Sequence, residues 1–218
     1  SIYLYCLLGG ADFGAGIVEL FSRGKGKERT RKQVTNSMAP IWEANHMWLI
    51  ITIVILFNAF PPIYSLISIK LYIPLILLLL GIVLRGTAFT FRHYDAIKDE
   101  SQEVYSRIFA YSSFMVTFFF GLTVGALISG KITLKPVNFL EGYIFTWLNL
   151  FSVSVGLFLV SLFAFIASVF LIGDSTDKEL VAEFIKKSKA ANIASVLTGG
   201  LVLISSLVED TGFTQLFF

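Results

Sequence analysis

Long unbroken runs of apolar residues alternate along this chain with short stretches that hold most of its charge. Six runs approach or exceed the roughly 20 residues that a helix needs to cross a hydrocarbon layer of about 30 Å. They cover residues 1–21, 40–60, 71–91, 108–128, 143–172 and 191–208. None shows the two-residue alternation of a barrel strand, and a continuous apolar run satisfies its own backbone in lipid only as a helix. The pattern predicts an all-α fold, a polytopic transmembrane helix bundle with six spans. The first span reads as truncated at its start, and the fifth is long enough to tilt or to overshoot the bilayer.

Composition agrees with this picture. Of 218 residues, 56% are hydrophobic and 15% charged, and 22 are Phe; the mean hydropathy is +0.78. Soluble domains carry roughly 25% charged residues, so a soluble enzyme, a disordered chain, a disulfide scaffold and a nucleic-acid binder are all excluded. Cys6 is the only cysteine, so the chain can form no internal disulfide. The chain opens at Ser1 inside one apolar run and closes on Leu216-Phe217-Phe218. It therefore reads as a fragment cut at both ends.

Charge placement predicts orientation, because cytoplasmic loops carry the excess of Lys and Arg. Thirteen of the 17 basic residues fall in the first, third and fifth connections. These are Arg23, Lys25, Lys27, Arg29, Arg31 and Lys32; then Arg92, Lys98 and Arg107; then Lys178, Lys186, Lys187 and Lys189. Lys70, Lys131 and Lys135 lie on the opposite side, and Arg85 lies within a span. The three basic connections are thus expected in the cytoplasm, with the N-terminus and the 131–142 connection outside. Residues 23–32 read first as a topology determinant, with a lipid-headgroup site as the alternative.

Ionisable residues inside a membrane helix are costly and mark function by default. On the first span, Gly9, Asp12, Gly16 and Glu19 recur at steps of three, four and three, which puts them on one face. Small residues there admit a neighbouring helix closely, burying the two acids against it. The second span opens with Pro40-Ile41-Trp42-Glu43-Ala44-Asn45-His46-Met47-Trp48. Pro40 suits a first helical turn. Glu43 and His46 are expected to share a face, with Trp42 and Asn45 beside them, as a hydrogen-bonded proton site. Trp42 and Trp48 read equally well as interface anchors. Arg85 on the third span, with Arg92 seven residues later on the same face, calls for an acid partner, either Glu43 or Asp12, or a snorkelling route. His46 and His93 are the only histidines, and Cys6, His46, Met47 and Met115 are too few to ligate several haems. No metal site is expected. The residues alone leave three readings open: a respiratory proton route, a proton-coupled secondary transporter using Asp12, Glu43 and Arg85, and a purely structural partner.

At these same residues the chain resembles subunit II of the cytochrome bd-type quinol oxidases. The similarity rests on Gly10-Ala11-Asp12-Phe13-Gly14-Ala15-Gly16, on the second-span stretch from Pro40 through Ile50, and on Phe60-Pro61 with Tyr64. It continues through Leu84-Arg85-Gly86, Phe91-Arg92, Leu150-Phe151 and Gly156-Leu157-Phe158. The resemblance implies two four-helix bundles, the first over 1–130 and the second beginning at 143. It implies a haem-carrying subunit I with two b-type haems and one d-type haem, quinol and O2 as substrates reached through that partner, and no haem in this chain. It also implies residence in a prokaryotic cell membrane. In the resemblance a proton-uptake role falls on Glu43, with Trp42 beside it, and the first-helix acid and third-helix arginine map to Asp12 and Arg85. With the residues read above, the expected proton pathway is Glu43, Asp12, Glu19, His46 and Arg85, supported by Trp42, Asn45 and Arg92. The chain departs from the family in having Glu43 where many members have Asp, Gly9 where many carry a further acid, and His46 where Glu or Gln is frequent. Whether a structural quinone sits in this chain, and whether a small third subunit joins the complex, stay open.

Overall fold

The structure, a computed structural model, describes residues 5–22, 26–94, 101–132 and 137–211, apart from the side chains of His93 and Tyr94. Ser1, Arg23, Lys25, Lys98, Lys135 and the closing Leu216-Phe217-Phe218 lie outside the described residues, as does the His93 side chain. Within them all regular structure is helical. A π-helical turn, Tyr5–Gly9, leads into α1 (Gly10–Leu20), followed by α2 (Gly26–Met38), α3 (Trp42–Ala59), α4 (Pro61–Lys70) and α5 (Tyr72–Tyr94). Then come α6 (Ser101–Ser129), α7 (Phe139–Tyr143), α8 (Leu150–Asp174) and α9 (Lys178–Val208). Five of these, α3, α5, α6, α8 and α9, are long and apolar enough to cross a membrane. The first expected span appears as the π-turn plus α1, Tyr5–Leu20, which is shorter than those five among the described residues.

Several boundaries differ from the apolar pattern, each for a local reason. The fifth span begins at Leu150 rather than at 143, because the Asn149 side chain accepts the Ser152 N–H and caps a new helix there. Residues 143–149, expected as the start of that span, are instead the end of the short α7 and a turn. Pro40 precedes α3 instead of occupying its first turn, since Ile41 is the N-cap. The sixth span extends back through a polar stretch to Lys178, where Asp177 caps it by accepting the Glu179 N–H. The first connection is not a loop: α2 is a helix whose Val34 and Met38 are fully buried.

The interior forms where α1, α6 and α8 meet, with α5 lying along α6 and α9 along α8. Apolar burial cannot drive helix association within lipid, so close backbone approach matters more. A Cβ on Gly14 would stand 2.0 Å from the Phe163 carbonyl oxygen of α8, and one on Gly125 would stand 2.7 Å from the Ser152 Cα. Glycine at these positions is what lets α8 lie against both α1 and α6. The polar end is sealed differently. Val34 and Met38 of α2 join Leu171, Leu180 and Phe184 in one cluster, and burying each such side chain from water is worth about 1.5–3 kcal/mol. At this end α2 also reaches Asp174 of α8 through Gln33 and Ser37 and Glu179 of α9 through Arg29. Helix α3 stands apart. Its one buried residue is Asn45, and it meets the bundle through Trp48 and Leu49 against Tyr5 and Phe13.

Candidate functional site

Two acids of α1 face two arginines of α5. Asp12 and Arg85 are both 0% exposed, and Arg85 Nη2 donates to Asp12 Oδ1 at 2.5 Å and to the Asp12 carbonyl oxygen at 3.1 Å. Its Nε donates to Ser113 Oγ of α6 at 3.1 Å. One turn-pair onward, Arg92 Nη1 donates to both oxygens of Glu19 at 2.9 and 2.8 Å. The seven-residue spacing in each helix repeats the pairing about 10 Å along the axis. Aromatic rings fill the space between the rungs. The Arg85 guanidinium lies 4.8 Å from the Phe13 ring centroid and 4.9 Å from that of Phe109, and Arg92 lies 4.4 Å from Phe109. Such stacking suits a weakly hydrated, planar cation held away from water. The face expected for Gly16 is confirmed: a Cβ there would meet Ser113 Oγ at 2.2 Å, so its absence brings the Ser113 hydroxyl up to the pair.

The ladder continues outward through Glu103, which the sequence pattern does not single out, and through basic residues that it reads only as topology or headgroup determinants. Arg31 of α2 reaches Glu19 at 3.4 Å and Glu103 of α6 at 2.5 Å. Glu103 also binds Lys27 at 2.6 Å and Arg107 at 3.3 Å. A cavity of about 270 Å³ opens beside this group, lined by Glu19, Lys27, Arg31, Ser106, Arg107 and Tyr111. The four-residue step between Lys27 and Arg31, on a stretch with buried Val34 and Met38, was the available signal that this segment is an amphipathic helix.

The second-span cluster is split rather than gathered. Glu43 is exposed on the outer side of α3, in the first turn, where a carboxylate is favoured by the helix dipole. Asn45 is buried, and His46 packs inward with its ring 5.9 Å from Phe13 and 6.0 Å from Trp42. Asn45 lies two residues on, about 200° around the helix from Glu43, so burying Asn45 turns Glu43 to the exposed side, with His46 between them and half-buried. Arg85 has therefore taken Asp12, not Glu43, as its acid. His46 lies within electrostatic range of both members of that pair.

The buried atoms hold unused hydrogen-bonding capacity. Asp12 Oδ2, Arg85 Nη1, Asn45 Nδ2, His46 Nδ1 and two nitrogens of Arg92 have no hydrogen-bond partner among the described residues. Buried polar groups are nearly always satisfied by protein or by ordered water. Unpaired polar atoms of this kind, carried here by α3, α1 and α5, are groups through which hydrogen-bonded proton transfer can run. Among the described residues no group of three or more His, Cys, Asp or Glu side chains could hold a metal ion.

A family profile described as "Cytochrome bd terminal oxidase subunit II" matches residues 1–217. The chain belongs to that family. Among individual relatives, it is 28% identical over 156 residues to the cytochrome bd ubiquinol oxidase subunit 2 of Bacillus subtilis, covering 70% of this chain and 44% of that protein. To the cytochrome bd-I ubiquinol oxidase subunit 2 of Escherichia coli K12 it is 32% identical over 89 residues, 40% of this chain and 23% of the relative. A probable cytochrome oxidase subunit 2 of Haemophilus influenzae is 28% identical over 158 residues, 69% of this chain and 40% of the relative. The chain thus spans less than half the length of each relative. The membership agrees with the apolar spans, and together they make this chain a membrane protein.

Proposed function

We propose that this chain acts as the haem-free second subunit of a bd-type terminal quinol oxidase in a prokaryotic cell membrane. There quinol is oxidised, O2 is reduced to water, and the protons consumed come from the cytoplasm. The haems belong to a partner subunit I, and this chain supplies structure and a proton-uptake route. The exposed apolar side of α3, with Ile50, Val54 and Phe57, offers that partner a face on which Glu43 also stands. The first bundle, 1–130, then carries the route, and a second bundle begins at 143.

The observation that carries this reading is the fully buried Asp12–Arg85 pair, with spare polar atoms of Asp12, Asn45 and His46 on the inward side of the helix that bears Glu43. In the proposed route Glu43 takes up a proton at the mouth of α3. His46 and Asn45 hold the hydrogen-bonded connection inward, and Trp42 packs the imidazole. Arg85 fixes the Asp12 carboxylate, while Glu19 and Arg92 form the next rung toward the basic end. That end faces the cytoplasm in this reading, because α2, the start of α6 and the start of α9 converge there with the chain's densest cluster of Lys and Arg.

Glu43→Gln in the assembled oxidase tests the role. The variant keeps size and hydrogen bonding but loses the titrating proton, so oxygen consumption should fall while the haem spectrum and assembly survive. Glu43→Asp should retain most activity. Wild-type turnover by Glu43→Gln with full haem content refutes the proton role, and loss of the haems makes Glu43 structural instead.

A further inference from the structure

A second cavity, of about 560 Å³, lies between α1, α8 and α9, away from the Asp12–Arg85 ladder. Its floor is made of small side chains, Ala164 of α8 with Ala190, Ala191 and Ala194 of α9. The polar groups along it are already satisfied inside the protein. Ser161 and Thr198 hydrogen-bond each other at 2.9 Å, and Ser168 donates to the Ala164 carbonyl at 2.7 Å. The walls therefore present hydrocarbon and demand nothing polar of an occupant. One end is different. There Lys186 and Lys187 border the cavity with Phe21. Lys187 donates to Ser22 Oγ at 2.5 Å and pairs with Glu183 at 2.7 Å, which leaves one of its three protons uncommitted. Lys186 is exposed, and no ion pair to it occurs among the described residues. Two lysines face one carboxylate at this mouth.

The dimensions fit one lipid leaflet. Lys187 and Thr198 are eleven residues apart on α9, as are Leu157 and Ser168 on α8, a rise of about 16 Å. That is roughly half of the ~30 Å hydrocarbon layer. We propose that this groove binds an acidic phospholipid, its phosphate on Lys186 and Lys187 and one acyl chain laid along the alanine floor toward Thr198. The charge at the mouth selects an anionic headgroup, and the dry, small-residue walls accept the chain. The site is independent of the proton route, since none of its lining residues belongs to that ladder.

The test is lipid retention by the membrane-extracted protein, measured by native mass spectrometry after exchange into micelles supplemented with phosphatidylglycerol or phosphatidylcholine. We expect phosphatidylglycerol to be retained in preference to phosphatidylcholine. Lys186→Gln and Lys187→Gln should each lower its occupancy about five-fold, and the corresponding Arg variants should keep it. Ala194→Leu, which fills the floor without touching a charge, should also abolish retention, and a wild-type far-ultraviolet circular dichroism spectrum checks its fold. Equal retention of the two lipids, or indifference to the lysine variants, overturns the headgroup assignment. Indifference to Ala194→Leu overturns the groove. Labelling of Ala194→Cys that stays blocked in lipid-free protein would show a protein segment in the groove and overturn the lipid as its occupant.

Discussion

Breaking the Asp12–Arg85 pair one partner at a time should cost far more than removing both. Each side chain is 1% exposed, so water screens neither charge and cannot rescue the one left behind. Removing one partner of a buried pair typically costs about 3–5 kcal/mol, whereas replacing both with apolar groups of similar volume is often neutral or better. Arg85→Met leaves the Asp12 carboxylate with no cation at 2.5 Å and frees its carbonyl and Ser113 Oγ as well. Asp12→Leu leaves a guanidinium held by the Phe13 and Phe109 rings, Ser113 and a backbone carbonyl. Each single variant is therefore expected to lose about 3–5 kcal/mol, and the double variant less than either. Equilibrium unfolding in mixed micelles with increasing dodecyl sulfate, followed by circular dichroism, supplies the four corners of the cycle. Additive losses, or single losses below about 1 kcal/mol as for exposed pairs, would refute the claim that this is a dry, coupled pair.

Three further outcomes are expected. Gly14→Ala should destabilise the bundle clearly while Gly173→Ala should be near neutral, because the first Cβ meets backbone at 2.0 Å and the second meets nothing within 4 Å; equal melting temperatures would contradict the close approach of α1 and α8. At the far end, burial pushes the Glu209 carboxyl up, but hydrogen bonds from Lys131 and from the Leu150 N–H outweigh it and hold Glu209 below the usual glutamate value. Its stabilisation is thus complete above the unfolded value of about 4.3 and is lost as pH falls through the lower folded value. Melting scans on the acid side should show Glu209→Gln less pH-sensitive than wild type, and parallel curves would refute this. Finally, with Cys6→Ala as background, Lys32→Cys on the exposed side of α2 should react with an impermeant maleimide only from the cytoplasmic side, and labelling of intact cells would reverse the orientation.

Much of this architecture was legible from hydropathy because lipid leaves the backbone few options. The spans at α3, α5, α6, α8 and α9 follow directly from that constraint. Seven-residue spacing placed Arg85 and Arg92 on one face, and the acids of α1 on another, before any partner was known. What spacing could not decide was which acid meets Arg85. The choice turns on α3 standing apart while α6 brings Ser113 and Phe109 up to α1 and α5. Helix α2 escaped because its mean character is polar; only Val34 and Met38 betray a buried side, and their burial depends on Leu180 and Phe184, about 150 residues away in the chain. Asn149 similarly divides a run that remains apolar on both sides. Hydropathy measures affinity for lipid, and a single capping amide changes it little.

The matching seven-residue steps on α1 and α5 also have a consequence for how the helices find their alignment. The two run in the same direction, since Asp12 meets Arg85 and Glu19 meets Arg92. In hydrocarbon, two helices slid past each other by a turn bury nearly the same apolar surface, so hydrophobicity hardly distinguishes one alignment from the next. The charges do. A slip of one turn, about 5.4 Å, unpairs both rungs together. A slip of two turns can match only one acid with one arginine and strands the other two charges in a dry interior. The paired rungs thus work as a vernier, converting a sliding motion that lipid would tolerate into discrete positions, of which one satisfies all four charges.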